Sequence, residues 1–326
     1  MSKKLSVAIP TYNRLAYLKE CIRSILDQSF QDFSIFVFDN ASNEPIEEEL
    51  KKLNDKRIHF IGNDKNIGLG GNINRILVYP FESEYVSIFL DDDAMHPKML
   101  ELETSFLNNH KEVVFVVSDL HRVSDKTIHS YPSFAEDKIE YSVYKNSYEF
   151  ARAEMSWLRA AFDSAMYRVK ALEGAHMKQS KFFHFADIAL LVEISKKGPC
   201  AFIAAPLMNY RIHAGQYSET KPKEYEQGVM EIIPFLKENL PDPLGKNDKQ
   251  LLRRYSVNSL LRACAHINSK PFHSVQFLKK CRDQNLSRYR DFIYIDVRGV
   301  VSALSIIAGS RKIIDAVRWL KNSFPS

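Results

Sequence analysis

Three consecutive carboxylates, Asp91-Asp92-Asp93, follow directly on the largely apolar run at residues 85–90. Like charges at adjacent positions repel one another unless something neutralises them. A hard divalent cation does so, and Mg²⁺ favours one or two carboxylates completed by phosphate oxygens. The run is therefore expected to seat a metal ion together with a phosphate-bearing ligand. Side chains alternate along an extended chain, which puts Asp91 and Asp93 on one side; Asp93 is the preferred metal ligand. The competing reading is a solvated acidic turn in which one aspartate caps the next helix. The apolar strand feeding the cluster weighs against it.

The elements that must position this run alternate between strand and helix patterns. Residues 5–9 form a short apolar run closed by Pro10, which reads as a first strand. Leu15, Leu18, Ile22, Ile25 and Leu26 then recur at helical spacing. Residues 33–38 are nearly all apolar and end at Asp39, as suits a strand buried on both faces. A short charged helix is expected over 46–53, a third strand over 57–61, a helix over 68–77 and a fourth strand over 85–90. A helix over 99–107 and a fifth strand over 113–117 complete the series. Such alternation predicts a mainly parallel sheet with helices on both faces. Ligands of these sheets bind beyond the carboxyl ends of the strands. Pro10-Thr11, Asp39 and the aspartate run all fall at such ends, so distant parts of the chain are expected to meet at one edge.

The pattern is irregular over residues 120–144, with short β-like pieces. A helix is expected over 186–197, with Ile188, Leu191, Val192 and Ser195 on one side, and a strand over 200–207. Pro241-Asp242-Pro243, followed by Gly245, interrupts the chain. We place a domain boundary there, between residues 1–240 and a mostly helical segment, 241–326, with helices expected over 251–267, 274–283 and 297–324. In the last of these, Ile313, Ile314, Val317, Leu320 and Phe324 share a face, with Arg311, Lys312, Arg318, Lys321 and Trp319 around it. Such a helix could lie on an anionic membrane surface or pack on protein, including a second copy of the chain.

Composition sets outer limits. The chain has 326 residues, 45% hydrophobic and 26% charged, which is ordinary for a globular protein. A net charge of +5 is accounted for by a solvated face, with attraction to nucleotide phosphates or a lipid surface as the alternative. Cys21, Cys200, Cys264 and Cys281 have neither C-x-x-C spacing nor a histidine at zinc-site spacing. They read as thiols in a reducing compartment. The first residues lack the apolar core of a secretory leader, and no run reaches the roughly 18 apolar residues of a spanning helix. The expected location is cytoplasmic, with peripheral attachment to the cytosolic face of the inner membrane as an extension. No nucleic-acid partner is expected.

Six segments together carry a resemblance. LSVAIPTYNR at 5–14, FVFDNAS at 36–42, NIGLGGNINR at 66–75 and FLDDDA at 89–94 resemble the nucleotide-sugar-binding half of a family 2 glycosyltransferase. The likeness continues through FHFADIALLVEISKKG at 183–198 and NYRIHAGQYS at 209–218, in the family's order. It implies the GT-A fold: an α/β, mainly parallel sheet flanked by helices, with a nucleotide-binding part over 1–119, an acceptor-side part over 120–240 and the helical region beyond. By this resemblance Pro10, Thr11 and Tyr12 line the nucleotide base and Asp39 binds it, often as uracil. Asn66 and Gly68 match an N-x-G loop, and Arg75 stands where relatives carry a basic residue near the diphosphate. Asp91 and Asp92 match the first positions of the D-x-D type acidic motif, facing ribose and diphosphate, and Asp93 its metal-binding acid. Asp187 matches the general base, although relatives often have Glu where this chain has Ala186. Arg211 and His213 match an R-x-H element, with His213 a further metal or diphosphate contact; Gln216 and Ser218 complete that motif without an assigned role.

Each assignment has a plainer counterpart. Asp39 could cap the turn before Ala41-Ser42, and Asp187 could cap its helix. Asn66, Gly68 and Arg75 could be a simple turn and a surface arginine, and His213 an ordinary hydrogen-bonded residue. The resemblance implies an inverting transfer from a nucleotide diphosphate donor, UDP-sugar favoured. The acceptor is expected to be a hydroxyl of a saccharide or lipid-linked molecule in bacterial surface polysaccharide synthesis, with Mg²⁺ or Mn²⁺ as cofactor. Two other classes stay open: a metal-dependent nucleotidyltransferase, and a non-catalytic sugar-nucleotide-binding module. The first normally brings a glycine- and lysine/arginine-rich phosphate loop near its first strand, where this chain has PTYNR. Gly68-Leu69-Gly70-Gly71 is not G-x-G-x-x-G and does not follow the first strand, which argues against a nicotinamide enzyme.

Overall fold

The structure, a computed structural model, describes residues 3–213 apart from 157 and 159, and residues 222–266. The described residues fall into two compact units, one within Met1–Ser180 and Ala186–Gln216, the other within Lys181–Phe185 and Tyr217–Ser326.

The first unit opens with the expected alternation: β1 (Leu5–Thr11), α1 (Leu15–Leu26), β2 (Phe33–Asp39), α2 (Ile46–Lys52), β3 (Ile58–Gly62), α3 (Gly68–Leu77) and β4 (Tyr85–Ile88). These strands lie in the order β3-β2-β1-β4 and all pair in parallel. Every residue of β1 is buried, as a strand covered on both faces requires. On α1, Leu18, Cys21, Ile22 and Ile25 are fully covered, and each large apolar side chain so buried contributes about 1.5–3 kcal/mol. Pro10 does not end β1. The ladder to β2 continues to Thr11↔Asp39, while the ladder to β4 stops at Ala8↔Ile88. Ala8 turns its carbonyl toward β4, so Pro10, two residues on, faces that side too, where no ladder calls for the N–H it lacks.

Next come a two-residue strand β5 (Ala94–Met95), α4 (Met99–Asn109), β6 (Phe115–Ser124), β7 (Tyr141–Tyr144) and α5 (Ser147–Ser156). β8 (Ala165–Arg168), α7 (Ala186–Ile194) and β9 (Cys200–Ile212) complete the unit, and the single turn α6 (Gln179–Phe182) spans the point where the chain passes to the second. The sheet order is β3-β2-β1-β4-β8-β6-β9-β5, with β7 on β9. This is the expected α/β sheet flanked by helices, but its second half is mixed: β8 runs antiparallel to both β4 and β6. Four residues beginning with Ala165 carry no alternation that would announce a strand; two neighbours impose it. β9 also runs past its expected end. Pro206 falls where the pairing with β6 slips its register, between Ser118 and Leu120. A bulge there absorbs the residue that cannot donate, and pairing resumes to Ile212.

The second unit contains α8 (Pro222–Glu238) and α9 (Lys246–His266). Val229, Ile232 and Leu236 of α8 are buried. A Cβ at Gly228 would meet the Phe182 carbonyl oxygen at 2.6 Å, so glycine permits the close approach of α8 to residues 181–185. Pro241-Asp242-Pro243 separates α8 from α9, and the two helices pack on each other. The helices expected over 274–283 and 297–324, and the positions Gln216 and Ser218, lie outside the described residues. Among the described residues no helix is long and apolar enough to cross a membrane.

Candidate functional site

Parallel strands end at a common edge, and the register here fixes which residues meet there. Thr11 is the β-partner of Asp39, and the Thr11 hydroxyl donates to Asp91 Oδ2 at 2.7 Å. Past β4 the chain does not stay extended. Phe89 still bonds the Ala8 carbonyl, and then Asp93 N–H turns back to the Leu90 carbonyl at 3.4 Å. Side-chain alternation therefore does not apply across the run, and the expectation that Asp91 and Asp93 share a side is corrected: Asp91 and Asp92 share Arg14, whereas Asp93 faces the Arg211 backbone.

Asp91 faces Thr11 and Arg14. Burial lifts its carboxyl to about 7, with the charge of Asp92 adding and Arg14 opposing. Asp92 receives Arg14 Nη1 at 2.7 Å and His213 Nε2 at 3.0 Å on the same oxygen. Burial works against its charge, but the hydrogen bond from His213 and the charge of Arg14 outweigh it and hold the carboxyl below its usual value. Asp93 is 1% exposed. Its Oδ1 accepts the Arg211 N–H at 2.7 Å, while Oδ2 is buried without a hydrogen-bond partner. Burial first, then the nearby charges of Asp163 and Asp92, raise this carboxyl well above the ordinary range.

Arg211 is 1% exposed. Its Nε donates to the Asp92 carbonyl at 2.6 Å, Nη1 to Asp125 at 3.0 Å and Nη2 to Glu20. The guanidinium lies 4.4 Å from the centre of the Tyr17 ring, and the same ring meets His213. The charge of Arg211 is thus spent on the protein, behind the aspartate run. Asp187 stands at the first turn of α7, partly exposed. It lies one residue inside the helix, and its Oδ1 accepts the neighbouring Ile188 N–H at 2.8 Å, which is not the bond of an N-cap; its carboxyl is lifted to about 6 by burial, with Asp163 adding.

The remaining expected residues gather beside Asp39. The Asp39 carboxylate accepts from the backbone N–H and hydroxyl of Ser42, the capping role weighed above. Asn40 donates to Asn66 at 2.9 Å and accepts from Asn63 at 3.0 Å and from Ile67 N–H at 2.9 Å. Asn66 accepts Gly68 N–H at 2.8 Å. Arg75 bonds Asn63 and stacks over Phe38, which places it on this latch. Tyr12 is 40% exposed, and its loop is tied to the loop after β2 by Asn13 N–H to Ser42 Oγ and Asn43 N–H to Asn13 Oδ1. Gly68 has φ +77° and open space where a Cβ would stand. Gly68→Ala is expected to cost about 1–2 kcal/mol of stability from backbone strain alone, read as a shift in denaturant midpoint at constant m. An unchanged midpoint would mean the turn adopts another conformation.

Three contributors escaped the sequence reading. Arg14 was visible in PTYNR but had no assigned role. Asn40 follows Asp39 directly. Asp163 gave no signal: it lies in a short 3₁₀ turn, Phe162–Ser164, within a stretch of weak pattern.

Comparison with known proteins agrees with this architecture. The chain matches the family described as Glycosyl transferase family 2 over residues 6–174, just over half of its length. It belongs to that family. An uncharacterized glycosyltransferase of Methanocaldococcus jannaschii is 37% identical over 130 residues, 38% of this chain and 44% of that protein. The GalNAc(5)-diNAcBac-PP-undecaprenol beta-1,3-glucosyltransferase of Campylobacter jejuni is 38% identical over 93 residues, 28% of this chain and 29% of that one. The match thus spans less than half the length of either relative. Among solved structures, S. aureus TarS 1-349 in complex with UDP-GlcNAc superposes with a TM-score of 0.60 at 15% identity, covering 98% of this chain and 91% of that one. The mannosyltransferase PcManGT from Pyrobaculum calidifontis, in complex with GDP-Man and Mn²⁺, gives 0.57 at 14% identity, covering 99% and 89%. These likenesses establish the shared GT-A fold.

Proposed function

We propose that the chain is an inverting glycosyltransferase that moves a sugar from a nucleotide diphosphate donor, UDP-sugar favoured, to a hydroxyl of a saccharide or lipid-linked acceptor. The observation that carries this reading is the meeting of Thr11, Asp39 and Asp91–Asp93 at the carboxyl ends of β1, β2 and β4, with Asp163 linking Asp93 electrostatically to Asp187. Asp39, Tyr12 and the asparagine latch form the proposed base side; Pro10 sets the exit of β1. Asn66, Gly68 and Arg75 hold the loop over that side, and Asp91 and Asp92 are proposed to face ribose and diphosphate. Arg211 acts as a positioning residue for the aspartates. The acceptor class draws support from the Campylobacter relative, whose name describes a glucosyltransferase of an undecaprenol-linked saccharide.

The donor set fits a divalent cation such as Mg²⁺ or Mn²⁺. Asp93 Oδ2 is buried with no partner. Mg²⁺ takes one or two carboxylates and completes its shell with phosphate oxygens and water. Asp93 is the proposed ligand. His213 is a proposed second donor, and coordination by it would exchange its contact with Asp92 for the ion. A bound cation would stabilise the charge growing on the departing diphosphate. In the proposed reaction Asp187 takes the acceptor hydroxyl proton, the acceptor oxygen bonds to the anomeric carbon, and the bond to the diphosphate breaks on the opposite side, inverting that centre.

The test is a thermal-shift and calorimetric screen of UDP-, GDP- and dTDP-sugars with Mg²⁺ or Mn²⁺. One donor at about 100 times its Kd is expected to stabilise the protein by about 2.7 kcal/mol. If no nucleotide sugar shifts the melting temperature in the presence of metal, the reading fails.

A further inference from the structure

Resting on the reading above, we infer that Asp163 is a further protein ligand of the divalent cation, beside Asp93 and the proposed His213, so that the ion is gripped between the carboxylates of Asp93 and Asp163. Nothing in the sequence motifs names Asp163. It reaches the site because β8 is inserted beside β4, which carries the turn preceding β8 to the end of the strand that feeds the aspartate run.

The antiparallel register Ser87↔Met166 sets the turn that carries Asp163 beside the residues that follow β4, and each carboxyl acts electrostatically on the other. They are 1% and 4% exposed, and on each the Oδ2 atom has no hydrogen-bond partner. Two ionised carboxylates offer each other only acceptors. Buried oxygens left in this way carry a desolvation penalty, larger for charged groups. Either a proton shared between them or a cation relieves it. The surroundings favour a built site over an accident of packing. Asp93 is fixed through Oδ1 by the Arg211 N–H. The turn carrying Asp163 is pinned by Ser164, whose hydroxyl lies within bonding distance of the Ser118 and Ala161 carbonyls, each 2.9 Å away. Tyr167 OH donates to the Phe162 carbonyl at 3.0 Å. The Asp93 carboxylate and the turn that carries Asp163 are therefore fixed before any ligand arrives, as tight ion binding by few residues demands. Two carboxylates with the rest of the shell from phosphate and water is the arrangement that Mg²⁺ and similar ions accept.

The experiment is a Mn²⁺ titration of the full chain followed by electron paramagnetic resonance, with Mn²⁺ alone as probe, on wild type, Asp163→Asn and Asp93→Asn. One Mn²⁺ per chain is expected for wild type, with affinity at least tenfold weaker in each variant. In EDTA, Asp163→Asn is expected to melt close to wild type, because the amide keeps the volume of the side chain and offers a donor to the Asp93 carboxyl. Wild-type Mn²⁺ affinity in Asp163→Asn overturns the inference and assigns the pair to a shared proton. Should that variant fail to fold, anomalous scattering from Mn²⁺ soaked into wild-type crystals decides. A peak about 2.1 Å from both Oδ2 atoms supports the grip, and a peak on Asp93 alone, or none, overturns it. Because no nucleotide is present, this readout is separate from the glycosyltransferase reading. Mn²⁺ bound at the pair with no donor binding would sink that reading and leave the grip standing, whereas donor binding with an indifferent Asp163 would do the reverse.

Discussion

Replacing Asp187 by asparagine is expected to lower turnover about 10²–10⁴-fold, the usual contribution of a positioned general base, while leaving donor binding within about twofold. The wild-type rate should follow an acid limb with its midpoint near pH 6, because burial and the nearby Asp163 lift the Asp187 carboxyl to about 6. Above that pH the carboxylate is present and can take a proton; below it the base is already protonated. The same shift has a consequence for stability. A carboxyl whose folded value lies above its unfolded value near 3.9 favours folding at low pH and loses that contribution as pH rises through about 6. At pH 7–8 the asparagine variant should therefore be no less stable than wild type, and its amide oxygen can still accept the Ile188 N–H. Loss of activity accompanied by a fall in stability at pH 8 would indicate a structural rather than a catalytic role. Turnover within a few-fold of wild type would remove Asp187 from the mechanism.

Arg211→Ala should be the most destabilising single change at the site, at about 3 kcal/mol, the lower end for breaking a buried ion pair. The lower end applies because Glu20 and Asp125 are roughly half exposed and can be rehydrated when the guanidinium is lost. The Asp92 carbonyl cannot, since it sits under the aspartate run and loses its 2.6 Å donor. The backbone N–H to Asp93 survives the substitution, but the strand end that presents it loosens. Arg211→Lys should recover only part of the loss, because an ammonium cannot serve three separate acceptors with the geometry of a planar guanidinium. Urea unfolding measures both variants, and the expected result is a lower midpoint at constant m. A midpoint for Arg211→Ala within about 0.5 kcal/mol of wild type would mean that the buried cation is not what holds the run.

Arg211 also marks where reading the sequence stops being sufficient. Its place in NYRIHAGQYS assigns it, by resemblance, to the expected site, yet the motif cannot say which way a side chain points. Burial decides that it serves the protein's own carboxylates. His213, two residues on, was expected at the same cluster, and the structure seats it on Asp92. The aspartate run behaves in the same way. Three like charges at the end of an apolar strand announce a site, but a turn between Leu90 and Asp93 leaves Asp91 and Asp92 sharing Arg14 and sends Asp93 to the Arg211 backbone, against the simple alternation of a strand.

Local pattern alone determined the β/α alternation of the first part of the chain, because periodicity is set by neighbours a few residues apart. It also determined that Thr11, Asp39 and Asp91–Asp93 lie at strand ends, and that Asp187 begins a helix. Those residues meet because parallel strands finish at one edge, a consequence of fold class and not of any one contact. Only the tertiary structure decided that Arg14 reaches back to Asp91 and Asp92, that four asparagines latch the loops around Asp39, and that Asp163 faces Asp93. Each of these depends on register and strand order between segments remote in the chain. β8 in particular has no pattern of its own and takes its place from β4 and β6, so the carboxylate it brings to the acidic run could be found only once those strands were paired.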